Sequence, residues 1–556
     1  MTEYTIGFDF GTESVRALLV EVSTGQEVAV AEHDYVHGVL AESLPVEGDG
    51  ELGADWYLQV PGDYLTGLRE VIPEVMNKGK ARADEVMAIG LDFTSCTLLP
   101  TDRKGTPLCR KEPFREDPQS WVKLWKHHGA TQEARRIQEV AERRGEQFMD
   151  YFAHAISPEW LLPKVLETKH RSPEIFERAW TFVEACDWIP WRLTGKLARN
   201  ACCAGFKAQY NESLGGYPSS AFLEAVEPGF GAFFDEKMPG PVIPPGEPVG
   251  GLKENWAEEL GLRPGIPVAA GMIDAHMGVA GLGITEPGRM ALVLGTSFCQ
   301  MMLHSELHFG DGPLGIVRDA IMPGLYAYES GQSAGGDIYA WFVENCVPEE
   351  YRAEAERRNL TLHELLTEQA GELAPGENGL IALDWWNGNR SILMDAELSG
   401  LLLGATLKTR PEEIYRALIE ATAFGTRRIL EEYANDGISV DGLVACGGLP
   451  EKNEFAMQLF TDICGLPIEV AGTSQAMALG SAMCAATAAE GHYDSLPEAA
   501  REMSHPPRSR YTPRPEARRV YDRLYGAYTE LHDRFGRESD LMHRLRRIRA
   551  DAGNRN

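Results

Sequence analysis

The sequence is poor in positive charge. Its 556 residues include 53 lysines and arginines against 83 aspartates and glutamates, which gives a formal net charge of −30. This negative excess repels nucleic-acid phosphates and anionic lipid surfaces, so neither is expected as a partner. A phosphate-bearing ligand would need local backbone dipoles and a bound metal to hold it against this field.

Long hydrophobic runs and paired cysteines are also missing. No apolar stretch approaches the roughly 20 residues that a membrane-spanning helix needs. The N-terminal MTEYTIGFDF has no basic segment before an apolar one, so no secretion signal is expected. The ten cysteines form no CxxC pair and no disulfide framework. These absences predict a soluble cytoplasmic protein with reduced thiols.

Several common catalytic motifs are absent as well. There is no GxxxxGK[ST] phosphate loop, and no GxGxxG follows a strand, which argues against P-loop and dinucleotide-binding enzymes. No GxSxG elbow occurs, and the histidines are not spaced as zinc ligands. Hydrophobic residues make up 44% of the chain and charged residues 24%. A chain of this length and composition is expected to form two large domains.

Two similar segments lie about half the chain apart. In the first, GFDFGTESVRALLVE, an apolar strand with Asp9 near its end is followed by a Gly11-Thr12 turn and a second apolar strand. The segment MALVLGTSFCQMM repeats this pattern around Gly295 and Thr296. Such turns direct backbone N–H groups and hydroxyls at one point, which suits a phosphate, and Asp9 suits a Mg²⁺ ion beside it. For the first segment alone, an ordinary β-hairpin is the alternative.

This repetition indicates a duplicated fold with a ligand between its halves. Strand and helix patterns alternate in both halves, and GITEPGRM (283–290), which carries proline and glycine, is the expected boundary. The predicted domains are residues 1–285 and 286–495. A helical tail over 496–556 is expected to pack on the body through an apolar stripe. That stripe consists of Val520, Leu524, Tyr528, Leu531 and Phe535.

Three further segments suit phosphoryl transfer. Asp274 follows a short apolar strand and precedes a glycine-rich stretch, so it is the candidate base for a hydroxyl proton, with a helix N-cap as the alternative. Gly447 and Gly448 precede a helix N-terminus and suit backbone contact with a nucleotide, with a tight turn as the alternative. The small residues of QAMALGSA let a helix approach a sheet or an adenine ring closely.

Together these segments resemble the FGGY family of carbohydrate kinases over nearly the whole chain, from Tyr4 to about Phe535. GLLLGATLKTRPEEIYRALIE is similar to the family's C-terminal signature, apart from Ala405 where a large aliphatic residue is expected. SPEWLLPKVLETKH supplies Lys164 and resembles the looser N-terminal signature, with Glu167 where a tryptophan is common.

The resemblance implies an α/β fold of two actin-like (ribonuclease H-like) domains, whose duplicated core surrounds an interdomain cleft. It implies ATP and Mg²⁺ mainly on the second domain, a sugar mainly on the first, and a homodimer. Asp274 would be the general base for the sugar C5 hydroxyl, and Asp9 would hold Mg²⁺ through water. The sugar would contact the Cys96 backbone, Lys207, Asp274 and Glu329. The nucleotide would lie against Gly11, Thr12, Gly295, Thr296, Gly447, Gly448 and Asn453.

Within the family, the chain most resembles the members that convert L-ribulose to L-ribulose 5-phosphate in L-arabinose catabolism. The segments that carry this resemblance are GLDFTSCTLLP, LWKHH, GFKAQYN and LDWWNGNRS. Residues 93–96 stand where glycerol kinases carry an Arg-Glu pair, so glycerol is disfavoured. One alternative is another pentulose or polyol kinase, such as one for xylulose. A second is a non-catalytic sugar- or nucleotide-binding relative, against which the complete set of acids and turns argues.

Overall fold

Two seven-stranded mixed sheets lie at the centres of the two halves of the chain. The computed structural model describes residues 2–46, 51–53, 55–310 and 312–553. From edge to edge, the first sheet consists of Pro248–Gly251, Pro267–Ala269, Val86–Phe93, Tyr4–Phe10, Ser14–Glu21 and Glu27–Asp34, with Met272–Ile273 paired to Val86–Phe93.

The second sheet has the same central arrangement. From edge to edge it consists of Gly315–Arg318, Tyr326–Gln332, Phe298–His304, Arg289–Leu294, Gly442–Cys446, Ile468–Val470 and Ser509–Tyr511. Smaller sheets lie outside the two cores. They are formed by Leu58–Gln59, Val122–Lys123, Leu98–Thr101 and Thr181–Glu184, by Arg199–Asn200 with Val242–Ile243, and by Ile381–Leu383 with Leu401–Leu403.

Both large sheets contain the same five-strand core. An antiparallel hairpin is extended on one side by a third antiparallel strand. On the other side, the first strand of the hairpin pairs in parallel with a fourth strand, which pairs in parallel with a fifth. This is the ribonuclease H-like order, and its occurrence in both halves confirms the predicted duplication.

Helices cover the faces of both sheets, so the central parallel strands are largely buried on both faces and do not alternate between buried and exposed residues. In Val86–Phe93, for example, all residues except Met87 are buried. The α-helices are Pro61–Gly79, Thr131–Arg144, Leu161–Arg171, Pro173–Arg178, Ala185–Thr194, Ala201–Ala208, Ser220–Val226, Phe233–Lys237, Glu254–Leu260, Asp274–Gly281, Gly336–Asn345, Glu349–Arg358, Leu362–Glu372, Pro411–Asn435, Gly448–Lys452, Glu454–Cys464, Ala476–Ala488, Leu496–Met503, Pro515–Asp533 and Leu541–Gly553.

Helix Ala476–Ala488, here called the crossing helix, follows the second core in sequence but packs on the first sheet. Its Ala482 carbonyl accepts a hydrogen bond from Thr5 Oγ1 at 3.0 Å. A Cβ on Gly7 would lie 1.9 Å from the Ala478 carbonyl oxygen, so only glycine permits this approach. The small residues of the helix therefore serve contact with the sheet, one of the two alternatives that the sequence left open.

The C-terminal part of the chain belongs to the second domain's architecture. Ser509–Tyr511 forms the edge strand of the second sheet, and helix Pro515–Asp533 packs against Pro411–Asn435 and Glu454–Cys464. From the predicted stripe, Tyr528 is fully buried, and Leu524, Leu531 and Phe535 are partly buried against the core. The fully buried face also contains further tyrosines, and the tyrosine hydroxyls of this helix reach the carboxylates of Glu420, Glu431 and Asp384. The buried residues are Ala517, Tyr521, Tyr525, Tyr528 and His532.

Candidate active site

Three aspartates lie at the carboxyl ends of neighbouring strands in the first sheet. Asp9 is in register with Asp92 on the adjacent parallel strand. The short strand Met272–Ile273 pairs with Asp92 and Phe93, and Asp274 follows it directly. Since the carboxyl ends of parallel strands meet at one edge, this register brings the three side chains together. The same edge is where ligands bind in open α/β sheets.

The acids shift one another's pKa. Burial and the negative charge of Asp9 raise the pKa of Asp274 to about 7. Burial and the same neighbour raise the pKa of Asp92 well above its ordinary value. Burial also raises the pKa of Asp9, and Arg16, whose Nη1 lies 3.3 Å from Asp9 Oδ2, offsets part of that increase. Perturbed carboxyls that cluster in this way are typical of functional sites.

This cluster fits a hydrated cation. When Asp92 is ionised, its Oδ2 accepts from Ser481 Oγ at 2.7 Å, while its buried Oδ1 receives no hydrogen bond from the described residues. A proton or a cation is therefore needed between Asp92 and Asp9. No group of three or more His, Cys, Asp or Glu in the described part of the chain is placed to hold a metal directly. The donor set suits Mg²⁺, which keeps several of its waters and uses one or two carboxylates.

The first glycine turn is held by elements from outside the sheet. The Gly11 N–H donates to the Ser14 carbonyl at 2.9 Å, which closes the turn. The Thr12 carbonyl accepts from Gln59 Nε2 at 2.7 Å, and its hydroxyl oxygen accepts from Trp125 Nε1 at 3.1 Å. The turn is therefore fixed on two sides.

The second glycine turn is anchored by the start of a helix. The N–H groups of Gly335 and Gly336 donate to the carbonyls of Thr296 and Gly295 at 2.9 and 3.0 Å. A Cβ on Gly336 would lie 2.7 Å from the Gly295 carbonyl oxygen, so a side chain there would separate these segments. The Thr296 side chain remains exposed and accessible to a ligand.

The Gly447-Gly448 pair lies beside this second turn. Gly447 has φ +101°, and a Cβ there would lie 2.8 Å from the Leu294 carbonyl oxygen, so the position requires glycine. Gly448 begins helix Gly448–Lys452 and has open space where a side chain would project. This opening gives a ligand close access to the backbone.

The amide of Asn453 is engaged within the second domain. Its Oδ1 accepts from the Ala456 N–H at 2.9 Å, which caps helix Glu454–Cys464. Its Nδ2 donates to Thr367 Oγ1 at 3.1 Å. Both polar ends of this side chain therefore already have protein partners.

An ion pair joins the two halves of the chain at the predicted sugar surface. Lys207, on helix Ala201–Ala208, places its Nζ 2.9 Å from Oε2 of Glu329, on strand Tyr326–Gln332 of the second sheet. Burial alone would lower the pKa of Lys207 and raise that of Glu329, but the pairing outweighs burial in both. His276 Nε2 lies 3.6 Å from the same carboxylate. Lys207 and Glu329 are therefore both charged and nearly buried.

Cys96 is held in an uncommon conformation by a buried lysine. It has φ +51°, and its carbonyl accepts from Lys164 Nζ at 2.7 Å. The same ammonium donates to the Leu124 carbonyl at 2.8 Å, and burial raises the pKa of the Cys96 thiol to about 12. This arrangement makes the Cys96 backbone the candidate ligand contact, because the thiol is not a reactive thiolate.

The unusual Glu167 of the N-terminal signature has a structural partner. Its buried Oε2 lies 2.7 Å from Lys123 Nζ and 2.9 Å from His127 Nε2. Burial alone would raise the pKa of Glu167, but Lys123 and His127 hold it well below its usual range. This network fixes the segment 123–128, which carries the Trp125 that contacts Thr12.

Reasoning from the sequence missed several residues of the site. Asp92 was recoverable, because AIGLDF repeats the IGFDF that precedes the first turn and so places a second aspartate at a strand end. Trp125 and His276 carry no comparable pattern, since their partners are remote in the sequence. Their roles depend on contacts that only folding creates.

The chain matches one family over both halves. Residues 4–281 match the N-terminal domain of the FGGY family of carbohydrate kinases, and residues 290–489 match its C-terminal domain. The chain therefore belongs to the FGGY family of carbohydrate kinases, which makes it an ATP-dependent sugar kinase.

Similar proteins from several bacteria carry one name. A ribulokinase of Halalkalibacterium halodurans is 47% identical over 553 residues, covering 99% of this chain and 98% of that protein. A ribulokinase of Mycolicibacterium smegmatis is 47% identical over 554 residues, covering 100% of this chain and 98% of that protein. A ribulokinase of Geobacillus thermodenitrificans is 45% identical over 548 residues, covering 98% of this chain and 97% of that protein.

Solved structures share the fold. The xylulose kinase of Lactobacillus acidophilus has a TM-score of 0.78 at 19% identity, covering 96% of this chain and 99% of that chain. The xylulose kinase of Rhodospirillum rubrum has a TM-score of 0.77 at 23% identity, covering 97% of this chain and 100% of that chain. These similarities support the two-domain fold. Separately, none of the helices in the described ranges is both long and apolar enough to cross a membrane.

Proposed function

We propose that this kinase transfers a phosphoryl group from ATP to L-ribulose, giving L-ribulose 5-phosphate in L-arabinose catabolism. The observation that carries the choice of sugar is the identity of 45–47% to bacterial ribulokinases over nearly the full length of both chains. The reaction type is supported by the perturbed carboxyl of Asp274, the charged pair whose two residues both affect its pKa, and the two glycine turns.

Asp274 is the general base in this proposal. Its carboxylate removes the proton of the C5 hydroxyl as that oxygen attacks the terminal phosphorus of ATP, and the bond between that phosphorus and the bridging oxygen breaks to release ADP. With a pKa of about 7, the carboxyl is basic enough to take the proton and still ionised in part at neutral pH. Lys207 and Glu329 orient the sugar through charge-assisted hydrogen bonds.

The glycine turns hold the phosphates in this proposal. Backbone N–H groups at Gly11 and Gly295, with the hydroxyls of Thr12 and Thr296, surround the transferring group, and Gly447 and Gly448 lie against the nucleotide. Asp9, with Asp92 beside it, would hold Mg²⁺ through water. Bound there, the ion neutralises charge on the ATP phosphates. Asn453 supports the nucleotide site by capping the next helix, and a direct contact with ATP stays a prediction.

A coupled assay of ADP release tests the proposal. Initial rates are measured with Mg·ATP and L-ribulose, D-ribulose, L-xylulose, D-xylulose or glycerol, for the wild type and Asp274→Asn. Asp84→Asn, at an exposed carboxylate that lies 3.0 Å from Arg82 Nε, is the matched control. We expect the highest kcat/KM with L-ribulose, a loss of about 10²–10⁴-fold in kcat for Asp274→Asn, and an unchanged rate for the control.

Other outcomes overturn particular parts of the proposal. A preference for xylulose or glycerol would keep the family and replace the substrate. Pentuloses that differ by one or two hydrogen bonds of about 0.5–1.5 kcal/mol each will be separated only modestly. Absence of sugar-dependent ADP release from folded enzyme would favour a binding protein without transfer activity.

We further infer a cytoplasmic homodimer. The ten cysteines, all within the described residues, are free thiols, which suits a reducing compartment. The homodimer rests on the resemblance to the family, and light scattering on the purified chain tests it. A monomer at assay concentration would contradict the dimer and leave the kinase proposal intact.

A further inference from the structure

Arg390, which belongs to the second domain, lies near two of the predicted sugar contacts, Glu329 and Cys96. It sits in the loop between strands Ile381–Leu383 and Leu401–Leu403. Its side chain crosses Gly331: a Cβ there would lie 3.1 Å from Arg390 Cδ and 3.5 Å from Nη1. Gly331 and Glu329 are two residues apart on one strand, so their side-chain directions share a face. The missing side chain at Gly331 leaves room for Arg390 next to Glu329.

Hydrogen bonds hold the loop that carries Arg390 to strand Tyr326–Gln332. The Ser391 N–H donates to the Gly331 carbonyl at 3.0 Å, and the Gly331 N–H donates to Ser391 Oγ at 3.0 Å. On the other side, Asn389 and Asp395 exchange two backbone hydrogen bonds of 2.9 Å. The backbone on both sides of Arg390 is therefore fixed, which limits the positions that its guanidinium can take.

The guanidinium itself has unused donors. Its ion pair is with Glu159 Oε1 at 3.7 Å, beyond hydrogen-bond distance, and that carboxylate already accepts from His128 Nε2 at 3.0 Å. Across the ranges that the structure describes, Arg390 donates no hydrogen bond to a protein atom. A guanidinium has five N–H donors and stays protonated at all physiological pH values. Three-quarters of the side chain is nevertheless buried.

Its electrostatic neighbours belong to the sugar side of the cleft. Burial alone would lower the pKa of Arg390, but Glu159, Cys299, Glu329 and Cys96 raise it. Glu329 and the Cys96 backbone are two of the predicted sugar contacts. A partly desolvated cation with free donors at this place needs oxygen acceptors, and a bound polyol presents them.

We propose that Arg390 is a sugar-binding residue which the second domain contributes to the site: its guanidinium donates hydrogen bonds to pentulose oxygens beside Glu329. This inference rests on the proposed function and deepens it. The sugar is thereby held from both domains, by Lys207 and the Cys96 backbone from the first and by Glu329 and Arg390 from the second. Arg390 thus links sugar binding to the relative position of the domains.

Steady-state kinetics of Arg390→Met and Arg390→Lys test this role. Each hydrogen bond to a charged group contributes about 1.5–3 kcal/mol, so we expect Arg390→Met to raise the KM for L-ribulose about 10- to 100-fold. The KM for Mg·ATP should stay within about twofold, because only the sugar contact is lost. Arg390→Lys should recover part of the loss, since it keeps the charge but not the planar donor pair.

Glu159→Gln is the control that separates ligand binding from an ion pair between domains. It removes the acid partner of Arg390 and leaves the guanidinium in place, so we expect the KM for L-ribulose to change by less than about threefold. An equal rise in that KM for Glu159→Gln and Arg390→Met would overturn the proposal in favour of a purely structural tie. An unchanged sugar KM in active Arg390→Met would also overturn it, as would a fall in kcat alone.

A direct measurement of sugar binding tests the proposal even if Arg390→Met is unstable. Isothermal titration of nucleotide-free wild type, Arg390→Lys and Glu159→Gln with L-ribulose should show weaker binding for the lysine variant alone. Equal affinity of all three contradicts the inference. If the wild type does not use L-ribulose, the proposed function fails independently, and the same variants are compared with the pentulose that the wild type does use.

Discussion

The ionisation of Asp274 shows how neighbours change one residue's chemistry. An aspartate in water has a pKa near 3.8, whereas burial and the charge of Asp9 raise that of Asp274 to about 7. Lys207 acts in the opposite direction and lowers it. The carboxyl can therefore exchange a proton in the neutral range, where a general base is most effective.

This pKa predicts the pH dependence of the reaction. Only ionised Asp274 accepts a proton, so kcat/KM for the sugar should fall as the pH decreases through about 7. Lys207→Met should move the midpoint up, because it removes a positive charge that lowers the pKa of Asp274. Rate profiles across the acid and neutral range measure this shift. Identical midpoints in the two proteins would contradict the assignment of the acid limb to Asp274.

Asp92 predicts an effect on stability. Its folded-state pKa is raised by burial and Asp9, so the native state favours the protonated form and loses stability as the pH rises above the unfolded pKa. In metal-free buffer, Asp92→Asn should stabilise the fold by about 1–2 kcal/mol near pH 8, since an amide can keep the Ser481 contact without the buried charge.

Urea unfolding checks this prediction for Asp92. The gain should decrease as the pH is lowered towards the ordinary pKa of an aspartate, because folding of the wild type then takes up less of a proton. A variant that is less stable than the wild type at about pH 8 would show that the ionised carboxylate is supported by the fold. Ser481→Ala is the matched control for the hydrogen bond alone.

At the scale of elements, close backbone contact decides where the crossing helix lies. The first sheet meets this helix at Gly7. Helix Asp274–Gly281 meets it at Gly480, where a Cβ would come 2.3 Å from the Met277 carbonyl oxygen. The sequence predicted a helix here that is rich in small residues, but small residues suit several partners equally. Only the tertiary structure shows that the partners are the sheet and helix Asp274–Gly281.

Two glycine substitutions test this packing. Gly7→Ala should destabilise the protein by about 3 kcal/mol or more, because its Cβ would lie 1.9 Å from a backbone oxygen that cannot move alone. The matched control is Gly526→Ala, in helix Pro515–Asp533, where nothing lies within 4 Å of the new Cβ. It should be neutral or stabilising by up to about 1 kcal/mol. Thermal unfolding compares them, and equal effects would contradict the contact.

At the scale of the whole molecule, the halves are joined at more than one place. The crossing helix covers the first sheet, and two ion pairs, Lys207 with Glu329 and Arg390 with Glu159, cross the cleft. The aspartate cluster lies on the first half and the second glycine turn on the other. The proposed transfer therefore requires the two halves to keep their relative position, as in enzymes whose domain closure excludes water.

The net charge predicts an unusual salt dependence. Mg·ATP is an anion approaching a protein of formal charge −30, so screening should help the encounter. We expect kcat/KM for Mg·ATP to rise by a factor of about two to ten between about 0.01 M and 0.15 M salt. The uncharged sugar is the internal control and should show little change. A fall with salt would mean that local cations near the cleft outweigh the overall field.

The sequence alone determined the duplicated α/β fold, because apolar strands and the repeated Gly-Thr turns are local patterns that recur in both halves. It also determined the candidate acids Asp9 and Asp274, which stand at strand ends. The tertiary structure decided the contacts of Trp125 and His276, the buried face of the C-terminal helix and the position of Arg390. These depend on contacts between residues far apart in the chain, which no local pattern encodes.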